Sequence, residues 1–183
     1  MAKKTITPRL PSQPFGEDGT TLNVIIETPR GSRNKYKFDE ALHVFKLKSV
    51  LPAGACFPYD FGFVPGTRGE DGDPIDVLVL MDEPAFTGCL IPCRLIGVIE
   101  ANQTDDGETY RNDRLVAVAQ DAHNYQNIRS LRDISKNLRE ELVHFFKSYN
   151  ERKNKEFDVI AMREKKSAQA LVDKTRKAHS NGA

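Results

Sequence analysis

The feature that most constrains the fold is an acidic turn that runs directly into an apolar segment. Residues 69–76 read G-E-D-G-D-P-I-D and contain four acids, and residues 77–80 read V-L-V-L. Glycine and proline at this density favour a tight turn, and a short apolar run next to turn residues is typical of a buried strand. The sequence therefore predicts that clustered carboxylates are held at the start of a buried strand.

Three aspartates of this turn have a spacing that suits a hard cation. Asp71, Asp73 and Asp76 form the pattern D-x-D-x-x-D, and carboxylates this close repel one another unless cations lie between them. Mg²⁺ prefers such oxygen ligands and retains several waters. The alternative interpretation is a solvated acidic loop. A helix-loop-helix calcium site fits badly, because Ile75 stands at a ligand position and Asp76 stands where that loop requires glycine.

The length and composition predict one globular domain that covers residues 1–183. Of the 183 residues, 39% are hydrophobic and 29% are charged, and the formal net charge is +1. So small a net charge argues against general binding to nucleic acid or to a membrane surface. No apolar run is long enough to span a bilayer, and the first residues lack the apolar segment of a signal peptide. Cys56, Cys89 and Cys93 lack the spacing of a zinc site and indicate reduced thiols, so we expect a cytoplasmic protein.

Alternating apolar and polar residues predict short strands over the first two thirds of the chain. Residues 1–20 lack this periodicity and are predicted to form an N-terminal arm. A hairpin connection is predicted over 102–112, and the predicted strands are 22–26, 35–38, 44–47, 61–64, 77–80, 93–100 and 115–119. Because no alternation of strands with helices accompanies this pattern, we expect a closed or sandwich-like antiparallel sheet.

Two of these strands, 35–38 and 44–47, alternate basic and apolar residues. Since neighbouring side chains on a strand point to opposite faces, one face is predicted to be buried and carries Tyr36, Phe38, Phe45 and Leu47. The opposite face carries Lys35, Lys37, Lys46 and Lys48. The two strands together predict a local basic wall in a chain of almost neutral net charge.

The last third of the chain changes to helical spacing. Apolar residues recur every three or four positions between Leu131 and Tyr149, which predicts a helix over 131–149 with a break near Ser135. A second helix is predicted over 164–179, with Ala168 and Val172 on its apolar side. We therefore expect two helices to follow the strands.

The acidic turn resembles the signature of the soluble family I inorganic pyrophosphatases, D-G-D-P-I-D followed by V-L-V. Other segments occur in the order of that family, and the resemblance covers residues 22–175. These segments are 29–35, F-P-Y-D-F-G at 57–62, R-L-I-G-V at 94–98, L-V-A-V at 115–118 and H-F-F at 144–146. The resemblance implies an OB-like five-stranded antiparallel barrel flanked by two C-terminal helices.

The resemblance also implies a chemistry, which is the Mg²⁺-dependent hydrolysis of pyrophosphate to two phosphates by a metal-activated water. It implies that Asp73 orients this water and takes its proton. The metal-binding residues that it implies are Asp71, Asp76, Asp105, Glu27, and either Asn112 or Asp113. The substrate-binding residues that it implies are Lys35, Lys48, Arg114 and Tyr149. Members of the family self-associate, so a homo-oligomer is expected.

Several positions depart from the pattern of that family. Lys37 stands where a glutamate is usual, Phe57 and Phe61 where tyrosines are usual, Asn112 where an aspartate is usual, and Asn150 where a lysine is usual. These changes make the site less acidic and leave two alternatives open. One is a pyrophosphate- or nucleotide-binding protein with weakened catalysis, and the other is a related phosphoanhydride hydrolase.

Overall fold

The structure is a computed structural model that describes residues 10–181, with the side chains of residues 10–176. Within this range the strands are β1 (Leu22–Thr28), β2 (Asn34–Asp39), β3 (Val44–Val50), β4 (Asp60–Phe63), β5 (Asp76–Leu80), β6 (Leu90–Asp105), β7 (Glu108–Arg111), β8 (Arg114–Ala119) and β9 (Glu156–Glu164). The helices are α1 (Lys136–Glu151) and α2 (Lys165–Asn181), and a short 3-10 helix (Leu131–Asp133) precedes α1. None of the described helices is long and apolar enough to span a bilayer.

Five strands of the described chain close into a ring, in the order β1-β4-β5-β8-β6 and back to β1. This ring, flanked by two helices, confirms the predicted fold class. One part of the prediction is wrong, because β5 and β8 are parallel, with Val77 opposite Leu115. Parallel neighbours require a long crossover, and the chain between β5 and β8 supplies it with β6 and the β6–β7 hairpin.

The interior of the ring explains why the acidic turn is firmly anchored. Val77 to Leu80 on β5 are all fully buried, as expected for a strand that is covered on both faces. Asp76 is the first residue of β5, so the last acid of the turn belongs to the rigid strand itself. The predicted turn and buried strand are therefore both present.

The two-stranded sheet of β2 and β3 differs from the predicted burial pattern. Leu47 was predicted to be buried, but it is 56% exposed, whereas Lys35 is buried. A register shift between Lys35 and Tyr36 places Lys35 opposite Ser49 and Tyr36 opposite Leu47. This inserts Lys48 as an extra residue on β3. The pairs that carry the predicted apolar face remain in regular register, and Leu47 is exposed because the two-stranded sheet lies outside the closed ring.

The C-terminal third contains the two predicted helices and one strand that was not predicted. The break near Ser135 is confirmed, because Ser135 caps α1 by accepting a hydrogen bond from the backbone N–H of Leu138 at 3.2 Å. The additional strand, β9, runs antiparallel to β6 with Gly97 opposite Glu164. Apolar Phe157 and Val159 alternate with polar residues at the start of β9, and this alternation is the sequence signal that could have predicted the strand.

The predicted N-terminal arm lies partly outside the described residues, because 1–9 are not described. Residues 10–20 lie beside β1. The backbone N–H of Asn23 donates to the carbonyl of Pro14 at 2.8 Å, and the side chain of Arg176 on α2 donates to Gln13 at 2.9 Å. This stretch is therefore tied to both β1 and α2.

Candidate active site

One cleft, with a volume of about 390 Å³, brings together the acidic turn, the two-stranded sheet and the end of α1. Its acidic lining consists of Glu27, Glu40, Asp71, Asp73 and Asp76. Its basic lining consists of Lys35, Lys37, Lys48, Arg114, Lys153 and Lys155. The predicted acidic turn and the predicted basic residues therefore meet in one place.

The acidic turn has a defined internal geometry. The backbone N–H of Asp73 donates to the Asp71 carboxylate at 3.1 Å, and the N–H of Gly69 donates to the Asp73 carbonyl at 2.8 Å. Gly72 has φ of +83°, which only glycine adopts without strain. Burial raises the pKa of the Asp71 carboxyl, and the negative charges of Asp76 and Asp73 raise it further. The three carboxylates are thus close enough to repel one another.

Glu27 and Lys35 form a rigid buried pair at the floor of the cleft. The Lys35 Nζ lies 3.2 Å from Glu27 Oε2, and the two side chains are only 11% and 7% exposed. The backbone N–H of Phe38 donates to the other Glu27 oxygen at 2.8 Å. Burial raises the pKa of the Glu27 carboxyl, although the Lys35 charge opposes this shift. Glu27 is therefore engaged in holding Lys35.

Phe57 and Phe61, the positions where the resemblance implies tyrosines, complete the surroundings of Lys35. Both are buried. The Lys35 ammonium lies 3.9 Å from the ring centroid of Phe61 and 5.6 Å from that of Phe57. Both distances are within the range of cation–π attraction. In this chain the two rings therefore orient a lysine and offer no phenolic donor.

Two aspartates of the turn form ion pairs with bases from other elements. Asp73 Oδ2 lies 2.5 Å from the Nζ of Lys37, and both side chains are substantially exposed. Asp76 Oδ2 lies 3.0 Å from Nη1 of Arg114, which is buried. Asp71 makes no ion pair with any side chain in residues 10–176.

Arg114 is the centre of a buried polar network on the side of β6 and β8. Its Nη1 donates to the side-chain oxygen of Asn112, and the Asn112 amide donates to Gln103 Oε1 at 3.0 Å. Its Nε has no hydrogen-bond partner among the described residues. Gln103 lines the cleft and was not predicted, because the family resemblance pointed to Asp105 on this strand.

Two predicted site residues, Asp105 and Asp113, do not line this cleft. Asp105 pairs with Lys155 near the β6–β7 turn, two residues beyond Gln103 on the same strand face. Asp113 accepts hydrogen bonds from the backbone N–H of Ala101 at 3.0 Å and from Arg111 Nε at 2.7 Å. Asp113 is thus engaged outside the cleft, Asp105 contacts a lysine that lines the cleft, and Asn112 lines the cleft itself.

The end of α1 supplies a tyrosine and a lysine in direct contact. The Lys153 Nζ donates to the Tyr149 hydroxyl at 2.5 Å, and burial raises the pKa of Tyr149 to about 12. Burial also lowers the pKa of Lys153 to about 8, and positive charges that face it act in the same direction, namely Lys35, Lys155, Lys48 and Arg114. Such a group of positive side chains favours the binding of an anion. Lys155 was not predicted, because it follows the helix in an irregular segment.

The acidic turn offers carboxylate ligands for a divalent cation. No three Asp, Glu, His or Cys side chains converge to hold a metal within the part of the chain that the structure describes. Mg²⁺ does not require such a cage, because proteins commonly hold it through one or two carboxylates together with water and substrate phosphates. Asp71, which has no ion-pair partner among the described side chains, and Asp76 at the start of β5 fit this kind of site.

Comparison with known proteins supports the relationship that the turn suggested. Residues 24–180 match the family described as inorganic pyrophosphatase. The chain is 39% identical over 171 residues to the inorganic pyrophosphatase of Nostoc sp., covering 93% of this chain and 97% of that protein. It is 36% identical to the inorganic pyrophosphatase of Synechocystis sp., covering 90% and 94%. The chain belongs to the inorganic pyrophosphatase family.

Solved structures agree with this assignment. The inorganic pyrophosphatase of Helicobacter pylori superposes with a TM-score of 0.84 at 30% identity, covering 94% of this chain and 99% of that chain. The inorganic pyrophosphatase of Thermus thermophilus superposes with a TM-score of 0.82 at 29% identity, covering 93% and 97%. The ring of strands and its flanking helices are therefore the fold of this family.

Proposed function

We propose that this protein is a Mg²⁺-dependent enzyme that hydrolyses pyrophosphate to two phosphates in the cytoplasm. The observation that carries the proposal is the cleft in which three aspartates of one turn face a group of lysines and an arginine. A phosphoanhydride needs its charge neutralised at the same place where a water is activated. The names of the relatives agree with this activity.

The basic side of the cleft is suited to binding the two phosphate groups. Lys35 is held by Glu27 and by the Phe61 ring, so its ammonium is already positioned before substrate arrives. Lys48 and Lys153 line the cleft and can turn toward an anion. The Tyr149 hydroxyl, with a raised pKa, stays protonated and can donate a hydrogen bond to a phosphate oxygen.

The acidic side is suited to binding Mg²⁺ and orienting water. Asp71 and Asp76 would hold the ion, which when bound neutralises phosphate charge and lowers the pKa of a bound water. Asp73 is half exposed at the mouth of the cleft, where its carboxylate can accept a proton from the attacking water. We assign Glu27 and Asn112 to supporting roles, since they contact Lys35 and Arg114. Asp105 and Asp113 are not included.

The proposal is tested by measuring phosphate release from pyrophosphate with and without Mg²⁺, with ATP and tripolyphosphate run alongside. Release from pyrophosphate that requires Mg²⁺ supports it. Binding of pyrophosphate without release would instead favour a binding protein, a possibility raised by the contact between Lys37 and Asp73. Faster release from tripolyphosphate or ATP would favour a related phosphoanhydride hydrolase.

The pKa of Lys153 predicts how substrate affinity depends on pH. Because this pKa is lowered to about 8, Lys153 loses its charge as the pH rises through that value, and pyrophosphate then loses one cationic contact. We expect the KM for pyrophosphate to rise between pH 7 and pH 9, and Lys153→Met to raise KM about tenfold or more at pH 7.

Steady-state kinetics across this pH range, at saturating Mg²⁺, measure the effect. Lys153→Arg is the matched control, because an arginine keeps its charge over the whole range, and its KM should rise less with pH than that of the wild type. A wild-type KM that does not change with pH, or identical profiles for all three proteins, would contradict a role for Lys153 in binding substrate.

We further propose that the protein forms a homo-oligomer through an apolar surface beside the two-stranded sheet. Leu47 and Val50 on β3 are 56% and 55% exposed, and Phe86 in a neighbouring loop is 71% exposed. Large exposed apolar surfaces often mark protein interfaces. Light scattering coupled to size-exclusion chromatography should report a mass several times 20.6 kDa, and Leu47→Asp should reduce it. A wild-type monomer would rule this out.

A further inference from the structure

Lys37 occupies an unusual position for a lysine, because its ammonium contacts the aspartate that we assign as the proton acceptor. The Nζ of Lys37 lies 2.5 Å from Asp73 Oδ2. Lys37 is two residues beyond Lys35 on β2, so both lysines point into the same cleft. The cleft therefore contains a protein cation at the place where a water must approach Asp73.

The two lysines differ in how firmly they are held. Lys35 is buried, contacts Glu27, and lies over the Phe61 ring. Lys37 and Asp73 are 40% and 50% exposed, and ion pairs that are exposed to this extent are weak and easily exchanged. Lys35 is therefore fixed in place, whereas Lys37 can leave Asp73 when a stronger cation or a phosphate enters the cleft.

The distribution of charge around the turn shows what a divalent ion encounters. Asp76 is already neutralised by Arg114, and Asp73 by Lys37. Asp71 has no ion-pair partner among the described side chains. A first divalent ion can thus bind beside Asp71 without displacing Lys37, but an ion that uses Asp73 must compete with it.

We infer that the Lys37 ammonium competes with divalent ions for Asp73. Once it has left Asp73, it contacts a phosphate oxygen of the substrate. In the metal-free protein it neutralises Asp73. When pyrophosphate binds, the ammonium turns from Asp73 to a phosphate oxygen, which frees Asp73 for its proton and supplies one positive charge from the protein itself. This inference rests on the proposed function.

The test compares Mg²⁺ binding to the wild type with binding to Lys37→Met, by isothermal titration calorimetry in the absence of pyrophosphate. Removal of the competing charge should tighten Mg²⁺ binding about tenfold. Lys37→Glu should tighten it further and add a bound ion. Thermal unfolding of each variant establishes that it is folded, and equal isotherms for the wild type and Lys37→Met would overturn the inference.

Lys46 offers a matched control on the neighbouring strand. It is the cross-strand partner of Lys37, but it pairs with Asp39 at 3.0 Å, is more exposed, and does not line the cleft. Lys46→Met should leave both Mg²⁺ binding and activity unchanged. A change equal to that of Lys37→Met would mean that any lost charge on this sheet has the effect, and the inference would be wrong.

Kinetics separate this inference from the proposed function. Lys37→Met should raise the KM for pyrophosphate at saturating Mg²⁺, and Lys37→Glu should make activity depend more steeply on free Mg²⁺. If the wild type does not hydrolyse pyrophosphate but the binding isotherms differ as expected, the proposed function fails while the competition at Asp73 stands. If the wild type is active and the isotherms and Mg²⁺ profiles superimpose, Lys37 is a solvated strand residue.

Discussion

Asp73→Asn is expected to lower kcat for pyrophosphate about 10²- to 10⁴-fold, which is the usual effect of losing a general base. An amide has nearly the same shape as a carboxylate but cannot accept the proton of the attacking water. Asp73 lies at the mouth of the cleft, half exposed and without a buried partner, so the substitution should not disturb packing. KM should change little, and the divalent ion that we assign to Asp71 and Asp76 should still bind.

Steady-state kinetics over a range of free Mg²⁺ distinguish this role from a role in binding metal. If Asp73 were mainly a metal ligand, the variant would need much more Mg²⁺ but would reach a normal kcat, and our assignment would be wrong. Glu70→Gln provides a control from the same turn. Glu70 contacts Lys174 at 3.7 Å and does not line the active-site cleft, so its loss should not change kcat.

The parts of this site that the sequence could predict are those set by neighbouring residues. The spacing of Asp71, Asp73 and Asp76 and the apolar run of 77–80 lie within one short segment. A tight turn followed by a buried strand gives such a segment little freedom to form anything else. Ser135, as a helix cap next to apolar periodicity, was recognisable for the same reason.

The parts that could not be predicted depend on register between distant strands. On β6 the residue in the cleft is Gln103, not Asp105, and this follows from the pairing of Gln103 with Tyr110 and with Phe157. The pairing of strands cannot be predicted from a local sequence pattern. The exposure of Leu47 is also set by tertiary arrangement, because β2 and β3 form a separate two-stranded sheet outside the ring and part of its apolar face is left uncovered.

The arrangement of charges has a further consequence for the metal-free protein. Carboxylates of the cleft lie next to bases that come from different strands, as in the pairs of Glu27 with Lys35 and of Asp76 with Arg114. These contacts offset repulsion that would otherwise oppose folding. Asp71 is the exception, and burial and its acidic neighbours raise its pKa. We therefore expect its ionised form to cost stability at neutral pH until a cation binds.

Asp71→Ala and Asp76→Ala are both expected to reduce Mg²⁺-dependent activity more than about 100-fold. Loss of a residue that only orients a metal ligand typically costs about 10- to 100-fold, and loss of the ligand itself should cost more. Their effects on stability should differ in sign. A pKa that is raised in the folded state means that ionised Asp71 costs stability above that pKa, so Asp71→Ala should raise the Tm of the metal-free protein. Asp76→Ala should lower it, because buried Arg114 loses its partner.

Thermal unfolding of each protein with and without Mg²⁺, together with phosphate release, decides this prediction. Mg²⁺ should raise the Tm of the wild type, since it binds the folded state, and should have much less effect on either variant. Asp121→Ala is the control, because Asp121 is exposed and lies outside the cleft, and it should behave as the wild type does. Near-normal turnover by either ligand variant at saturating Mg²⁺ would remove Asp71 and Asp76 from the metal site. A Tm that falls equally in both variants would instead mean that Asp71 stabilises the turn, and its ionised carboxylate would then contribute favourably to the fold even without a metal.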